Sequence, residues 1–232
     1  MTALISAAPM KRLLPYLALV SILFSSSKSS AAETDLTPVK KWVERTAKLK
    51  SFSANFLQRR YLKTVRKPLE STGTIQFVAP ESFRWQAGNP ATLIATAKTG
   101  GDLTIQRPLK KEAEVITHQQ LQEKADGQGI SLLESGFPRS FEEFQKKFEI
   151  LSLTKSENTW SLEVKLAQAS NAVVRKIVIL FQDGSFTLSG LQLFFRDGSR
   201  IESYFTESKE NPTLSKELFV PDLTGYAVKK GG

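Results

Sequence analysis

Short segments in which apolar and polar residues alternate fill most of this sequence, and each is bounded by glycine, proline or another turn-forming residue. Residues 74–78, 82–86 and 102–106 show the pattern, and Pro80 and Gly88 stand at the breaks between them. Alternation with a period of two predicts β-strands with one buried face, and frequent turns predict that successive strands pair with one another. The alternation therefore favours an antiparallel sheet.

The second half of the chain continues this pattern. Asp183-Gly184 and Asp197-Gly198 are dipeptides typical of tight hairpin turns. Five further strand candidates surround them: residues 150–154, 161–166, 173–181, 186–195 and 200–205. With about ten or eleven short strands in all, the sequence predicts a mainly β (α+β) fold built on one large antiparallel sheet, heavily curved or nearly closed.

Two segments instead repeat with the spacing of an α-helix. Residues 36–50 begin with Thr37-Pro38, a cap residue followed by proline at the first helical position. Later, four phenylalanines recur at steps of four, three and four: Phe137, Phe141, Phe144 and Phe148. This stripe predicts one face of a helix, which either covers the core or forms a lid over a cavity.

The N-terminus has the pattern of an export signal. Lys11 and Arg12 precede an apolar run over residues 13–24, which is shorter than the roughly 20 residues that a membrane-spanning helix needs. Ser30-Ala31-Ala32 fits a cleavage site for signal peptidase. We expect residues 1–32 to be a signal peptide and residues 33–232 to form a single exported domain. The alternative is a buried N-terminal helix.

Charge then indicates the kind of partner. The whole chain carries a formal +9, and removal of the three cations in residues 1–32 leaves 29 basic and 23 acidic residues, a net +6. Outside the cytosol this charge favours anionic membranes or acidic partners over nucleic acid. The densest basic cluster comprises Arg59, Arg60, Lys63, Arg66 and Lys67. It is either a solvated strand end and loop or a transient contact with an anionic membrane.

The composition excludes several kinds of site. The chain has no cysteine and a single histidine, so it can form neither a disulfide framework nor a cysteine or multi-histidine metal site. His118 lies in a polar run without a triad signature, and we expect it at the surface. Glu142-Glu143 are explained as charges in a first helical turn, although a carboxylate pair is compatible with a glycosidase. The sequence predicts no enzyme, no cofactor and no metal.

Four motifs resemble one family. Residues 49–58 follow the first helix with Leu-Lys-Ser-Phe-Ser-Ala-Asn-Phe-Leu-Gln, and residues 73–85 form a strand, a proline turn and a second strand. Residues 196–201 and 211–221 resemble the last strands of the proteins in that family. In this order, and with the export signal, they resemble the periplasmic lipoprotein carriers of the LolA type over most of residues 36–230.

The resemblance implies an incomplete antiparallel barrel of about eleven strands, lined by apolar side chains and covered by a helical lid. It implies a monomeric carrier that shields acyl chains of a lipoprotein or related amphiphile. Its partners would be an inner-membrane release complex and an outer-membrane acceptor. On the family layout the acyl chains would contact Phe56, Ile75, Phe77, Phe83, Trp85, Ile94 and Ile105, and Leu133, Phe137 and Phe144 would lie under the helical cover.

The sequence departs from the family pattern in places. Many members have an arginine before the hairpin proline, where it ties the cover shut, but Ala79 occupies that position here. Residues 98–102 replace the usual Asp-Gly-Lys turn, and residues 66–73 resemble a divergent branch that accompanies export of lipids or pigment-lipids. The cargo could thus be a glycolipid or pigment-lipid. The chain could also be a sensory or interaction module without cargo, or a periplasmic hydrolase.

Overall fold

The computed structural model describes residues 34–80, 82–98, 101–123, 138–167 and 173–231, with only the backbone described for 121–123. These residues fall within one compact unit, Thr34–Gly232. The prediction of a signal peptide and of a single mature domain is therefore carried forward as a prediction, because residues 1–33 lie outside the described part of the chain.

One sheet of twelve strands dominates the described residues. The strands are β1 (Ser51–Tyr61), β2 (Leu69–Val78), β3 (Ser82–Ala87), β4 (Leu93–Ala97), β5 (Leu103–Arg107), β6 (Glu112–Ile116), β7 (Phe148–Ser156), β8 (Thr159–Leu166), β9 (Val174–Gln182), β10 (Leu188–Phe195), β11 (Arg200–Glu210) and β12 (Ala227–Lys230). Their order is β12-β6-β5-β4-β3-β2-β1-β11-β10-β9-β8-β7, so β12 and β7 form the two edges of an open sheet. The large antiparallel sheet predicted from the alternation is confirmed, and β12 alone pairs in parallel, with β6.

The predicted hairpin turns form where their Asp-Gly dipeptides stand. Gly184 between β9 and β10 has φ +77°, and Gly198 between β10 and β11 has φ +86°. Such left-handed backbone is accessible to glycine at little cost, whereas a side chain would strain it. These two glycines therefore set the connections that bring β9, β10 and β11 side by side.

Three helices accompany the sheet in the described residues: α1 (Thr37–Thr46), α2 (His118–Glu123) and α3 (Phe141–Lys147). Helix α1 begins at the predicted Thr37-Pro38 but ends before the predicted Lys50. The amides of Lys48 and Leu49 bond three residues back, to Arg45 and Thr46, which tightens the last turn and directs the chain into β1. His118 is exposed, as expected.

The phenylalanine stripe is helical over only part of its length. Phe141 and Phe144 lie on α3, and Phe137 lies outside the described residues. The prediction that Phe148 continues the helix is wrong, because Phe148 has extended backbone angles and pairs with Leu166 as the first residue of β7. Its amide still bonds the Phe144 carbonyl, so one residue closes the helix and opens the strand.

Both apolar clusters of the structure lie on one face of the sheet, which we call the inner face. The first cluster covers β1–β5 and includes Phe52, Phe77 and Phe83. The second covers β7–β10 and lies beneath α1 and α3, which contribute Trp42 and Phe144. Leu188 and Leu191 pack against both clusters, so the apolar inner face is continuous across the sheet.

The C-terminal segment covers the outer face of the sheet from β3 to β5. The Arg84 guanidinium donates to the Leu218 carbonyl at 3.4 Å, and Gln106 Nε2 donates to the Asp222 carbonyl at 2.8 Å. Phe219, in a short 3₁₀ helix over Lys216–Phe219, is buried. The half-buried Arg84 is costly to desolvate, which lowers its pKa from the ordinary value. Beyond this segment the chain adds β12 to the sheet.

A reciprocal cap fixes the start of α3. Ser140 Oγ accepts from the Glu143 amide at 3.0 Å, and the Glu143 carboxylate accepts from the Arg139 amide at 3.1 Å. The hydrogen bond from Lys147 Nζ at 2.9 Å is the main cause that lowers the pKa of Glu143 below its ordinary 4.5. Because folding lowers this pKa, the carboxylate stabilises the folded protein above its ordinary pKa, and the contribution is lost as the pH falls through the lowered value.

Glu143→Gln should therefore lower the melting temperature at neutral pH and leave it unchanged in acid. An exposed i,i+4 pair and a half-exposed cap predict a shift of about 1–2 °C. Thermal unfolding followed by circular dichroism across the acid range measures it. Glu142→Gln, at an exposed carboxylate, is the matched control and should shift less. A Glu143→Gln difference that persists in acid would contradict the assignment.

Candidate functional site

The register of three strands places a block of apolar side chains on the inner face. Strand β1 pairs with β2, and β2 pairs with β3, so that residues at the same level share a face. Three rows result: Phe52, Phe77 and Phe83; Ala54, Ile75 and Trp85; and Phe56, Gly73 and Ala87. All nine residues except Gly73 and Trp85 are buried members of the first cluster.

Gly73 makes room for an aromatic stack at the centre of this block. The rings of Phe56 and Trp85 lie 4.0 Å apart between centroids and are nearly parallel, at 22°. They belong to β1 and β3, with β2 between them. A Cβ at Gly73 would lie 2.5 Å from Phe56 Cζ, so the absence of a side chain there lets the Phe56 ring lie across β2. An aromatic ring over a strand glycine is a stabilising cross-strand arrangement.

Part of this face is accessible to solvent. Trp85, Ala95 and Ile105 are only partly buried, although they pack against the buried cluster and lie opposite one another across β3, β4 and β5. Leu93 and Ile116 are partly buried against the same cluster. Removing apolar area from water is favourable by about 25 cal/mol per Å², so a hydrocarbon chain that covers these side chains would be stabilised there. The inner face therefore leaves apolar area in contact with water.

Six of the ten predicted site residues come together here. We call them the inner apolar surface, and they are Phe56, Ile75, Phe77, Phe83, Trp85 and Ile105. Leu133 and Phe137 lie outside the described residues. Phe144 is buried in the second cluster instead, with its ring 5.9 Å from Trp42 and 5.1 Å from Phe148. It does lie in the helical cover, but its contacts there are with other core side chains.

Ile94 was expected to face the acyl chains, and the structure corrects this. It pairs with Gln86 on β3 and Gln106 on β5, which puts it on the outer face. Its neighbours in β4, Leu93 and Ala95, are the ones that pack against the inner cluster. Successive residues of a strand point to opposite faces, so an error of one residue exchanges the two faces. The prediction for β4 is wrong by one residue.

Of the partly buried side chains that pack against the first cluster, the predicted site omits five: Leu93, Ala95, Ile116, Leu188 and Leu191. Leu93 and Ala95 follow from the same parity correction. Leu188 and Leu191 lie on β10, whose apolar run in both parities hides the inner face. The register identifies the inner face of β10, because Leu191 pairs with Ser203 on β11, two residues from the inner-face Phe205.

The polar groups of the described residues do not suggest a reaction centre. No group of three or more His, Asp or Glu side chains in them could hold a metal ion. On the inner face the buried Ser203 hydroxyl lies 3.2 Å from Gln58 Nε2, a neutral hydrogen bond. Within the same described ranges, no helix is long and apolar enough to cross a membrane.

The model of the family described as outer membrane lipoprotein carrier protein LolA matches residues 47–222, about three quarters of the chain. The chain belongs to the LolA family. LolA-family proteins are carriers that bind their cargo and not enzymes, so the expectation that the chain catalyses no reaction is confirmed by its family.

Individual relatives are distant. The outer-membrane lipoprotein carrier protein of Pseudoalteromonas translucida (strain TAC 125) is 26% identical over 176 residues, covering 76% of this chain and 78% of that protein. A LolA superfamily protein of Nitrosomonas europaea has a solved structure with 10% identity and a TM-score of 0.42, covering 78% of this chain and 97% of the other. A conserved protein of Thermus thermophilus gives 8% identity and a TM-score of 0.49, covering 82% of this chain and 96% of the other.

Proposed function

We propose that this LolA-family chain is a periplasmic carrier that shields the acyl chains of a lipoprotein or related amphiphile. It would collect its cargo at the inner membrane from a release complex and deliver it, as a monomer, to an acceptor at the outer membrane. The apolar run over residues 13–24 behind Lys11 and Arg12 supports export. Cleavage after Ala32 would leave residues 33–232 as the carrier.

The observation that carries the proposal is the inner apolar surface with its accessible part at Trp85 and Ile105. Burial of one CH₂ group is worth about 0.8 kcal/mol, so a sixteen-carbon chain in water represents on the order of 12 kcal/mol. A protein that moves such a chain between membranes must cover it with apolar side chains. Phe and Trp suit this role because they offer a large apolar area on a stiff ring.

The cargo can be identified directly. The mature protein is purified from its native envelope without detergent, and bound lipids are extracted and analysed by mass spectrometry. An acylated peptide would support a lipoprotein carrier, and a glycolipid or pigment-lipid would assign one of the other cargo classes. An empty protein that also fails to take up a fluorescent fatty acid would overturn the proposal and favour an interaction module without cargo.

Two isoleucines on adjacent strands give a matched test of the binding face. Ile105→Gln changes a partly buried residue of the inner apolar surface, whereas Ile94→Gln makes the same change on the outer face. Loss of one side chain's apolar contact, worth about 1.5 kcal/mol, should weaken fatty-acid binding roughly tenfold for Ile105→Gln alone. Fluorescence titration measures affinity, with melting curves to confirm that both variants fold. Equal weakening by both changes would contradict the face assignment.

A further inference from the structure

The turn between β1 and β2 combines positive charge with exposed apolar side chains. Residues 62–68, which we call the basic tip, contain Lys63, Arg66 and Lys67 and no acidic residue. All three cations are exposed. Val65 stands among them with 42% of its surface exposed, and Leu69 directly after the tip is 49% exposed. Among the six large apolar residues that are exposed in the described part of the chain, these two lie in or directly beside the basic tip.

On the β2 side, the basic tip extends beyond the end of the neighbouring strand β3. Strands β1 and β2 pair as far as Arg60 with Leu69, whereas the pairing of β2 with β3 ends at Gly73 with Ala87. The amide of Gly88, directly after β3, still bonds the Thr72 carbonyl at 2.8 Å, so three residues of β2, 69–71, extend beyond this point, roughly 10 Å at the usual rise of a strand. On the other side β11 accompanies β1 up to Tyr61 and supports the stem. The geometry presents residues 62–68 at the end of a projecting, braced hairpin.

The charges of the basic tip are not neutralised as those of its stem are. Arg59 on the stem pairs with Glu70 at 2.8 Å, and Arg200 on β11 pairs with Glu202 at 2.7 Å. Within the described ranges, no ion pair involves Lys63, Arg66 or Lys67. Lys63 does lie near the hairpin turn that contains Asp197. Hydrogen bonds from Ser199 are the main cause that lowers the pKa of Asp197, and the charge of Lys63 lowers it further.

We propose that the basic tip docks this protein on the surface of an anionic lipid membrane. Its three cations would contact lipid headgroups, and Val65 and Leu69 would enter the boundary between headgroups and acyl chains. A seven-residue turn is small against the roughly 800 Å² per partner of a stable protein interface, but a few cations and apolar side chains suffice for a reversible membrane contact. The inner apolar surface has no part in this docking.

The test uses the mature protein and lipid vesicles, measured by co-sedimentation at low and high salt. One set is an equal mixture of phosphatidylglycerol and phosphatidylcholine, and the other is phosphatidylcholine alone. We expect binding to the anionic set only. The variant Lys63→Ser/Arg66→Ser/Lys67→Ser should bind on the order of a hundredfold more weakly, since each cation contributes roughly fivefold. Salt should weaken the wild type and leave little further effect on the variant.

The β12 edge of the sheet offers a charge-matched control. Lys110, Lys229 and Lys230 are exposed, and Val228 is 49% exposed, but Glu112 and Glu114 lie opposite β12 in the register. Lys110→Ser/Lys229→Ser/Lys230→Ser removes the same net charge and should bind vesicles within a few-fold of wild type. Val65→Ser should weaken binding several-fold at high salt, and Val228→Ser should not.

Three results would overturn the proposal: no binding by the wild type, binding independent of lipid charge, or equal losses in the tip and control variants. Melting curves show whether each variant folds, and the single change Val65→Ser keeps the test open if the triple variant does not. The outcome is separable from acyl-chain carriage. The tip variant should take up fatty acid normally, and Ile105→Gln should bind anionic vesicles normally.

Discussion

Replacement of Phe144 by alanine should lower the free energy of unfolding by about 3–5 kcal/mol, because a fully buried ring is exchanged for a cavity. Phe144 has no exposed surface. Its ring contacts Trp42 edge-on at 5.9 Å and Phe148 at 5.1 Å between centroids, and Trp42 stacks in turn on Phe181 of β9 at 5.7 Å. The ring therefore joins α3 to α1 and, through Trp42, to the sheet.

The change is measured by thermal and urea unfolding. For a chain of this size, such a loss lowers the melting temperature by roughly 10 °C. Phe141→Ala is the control, since Phe141 lies on the same helix but is only partly buried, and it should cost less than half as much. Below its melting temperature Phe144→Ala should keep the fatty-acid affinity of the wild type, because its contacts lie in the second cluster. A stable variant that loses affinity would make α3 a lid over the ligand.

The sheet could be predicted from the sequence because its strands are short, turn-bounded and covered on one face. Strand β1 shows this well: Phe52, Ala54 and Phe56 are buried, whereas Asn55 between them is exposed. Ile75, Phe77 and Phe83 follow the same alternation and lie on the inner face. Where burial differs between faces, parity is written into the sequence and can be read from it.

The parity of β4 could not be predicted in this way because both of its faces are covered. Thr96 and Ala97 are adjacent, lie on opposite faces and are both buried. The inner cluster covers Ala97, and the C-terminal segment runs over the outer face from β3 to β5. Burial therefore does not distinguish the two faces of this strand, and the sequence alone does not show whether Ile94 or its neighbour Ala95 points inward.

The C-terminal strand, β12, could not be predicted from the sequence for a different reason. All four residues of β12 are exposed, and the strand is held by its parallel pairing with β6 rather than by buried side chains. Backbone hydrogen bonds of this kind leave no periodic signal in a sequence. Phe148 illustrates a third limit, because a spacing of four residues from Phe144 is met equally by a helix and by a strand that begins where the helix ends.

Gly73→Ala, which adds a single methyl group to the site, should strongly lower the stability of the protein. A Cβ there would lie 1.9 Å from the Gln86 carbonyl oxygen of β3 and 2.5 Å from Phe56 Cζ. The first obstacle is backbone and cannot rotate away, so β2 and β3 must separate and the Phe56–Trp85 stack must break. We expect a loss of about 3 kcal/mol or more, at or beyond the upper end of what overpacking usually costs. Because the stack belongs to the inner apolar surface, fatty-acid binding should fall as well.

Two comparisons make this prediction sharp. Gly101→Ala adds the same methyl group where the nearest atom, the Lys98 carbonyl oxygen, is 3.3 Å away, and it should change stability by no more than about 0.5 kcal/mol. In a Phe56→Ala background, Gly73→Ala should remain strongly destabilising, because the Gln86 carbonyl still obstructs the Cβ. If removal of the Phe56 ring rescued the glycine substitution, the ring alone would be the obstacle. The close approach of β2 to β3 would then be unnecessary for the fold, and Gly73 would serve only the aromatic stack on which the acyl chain is proposed to lie.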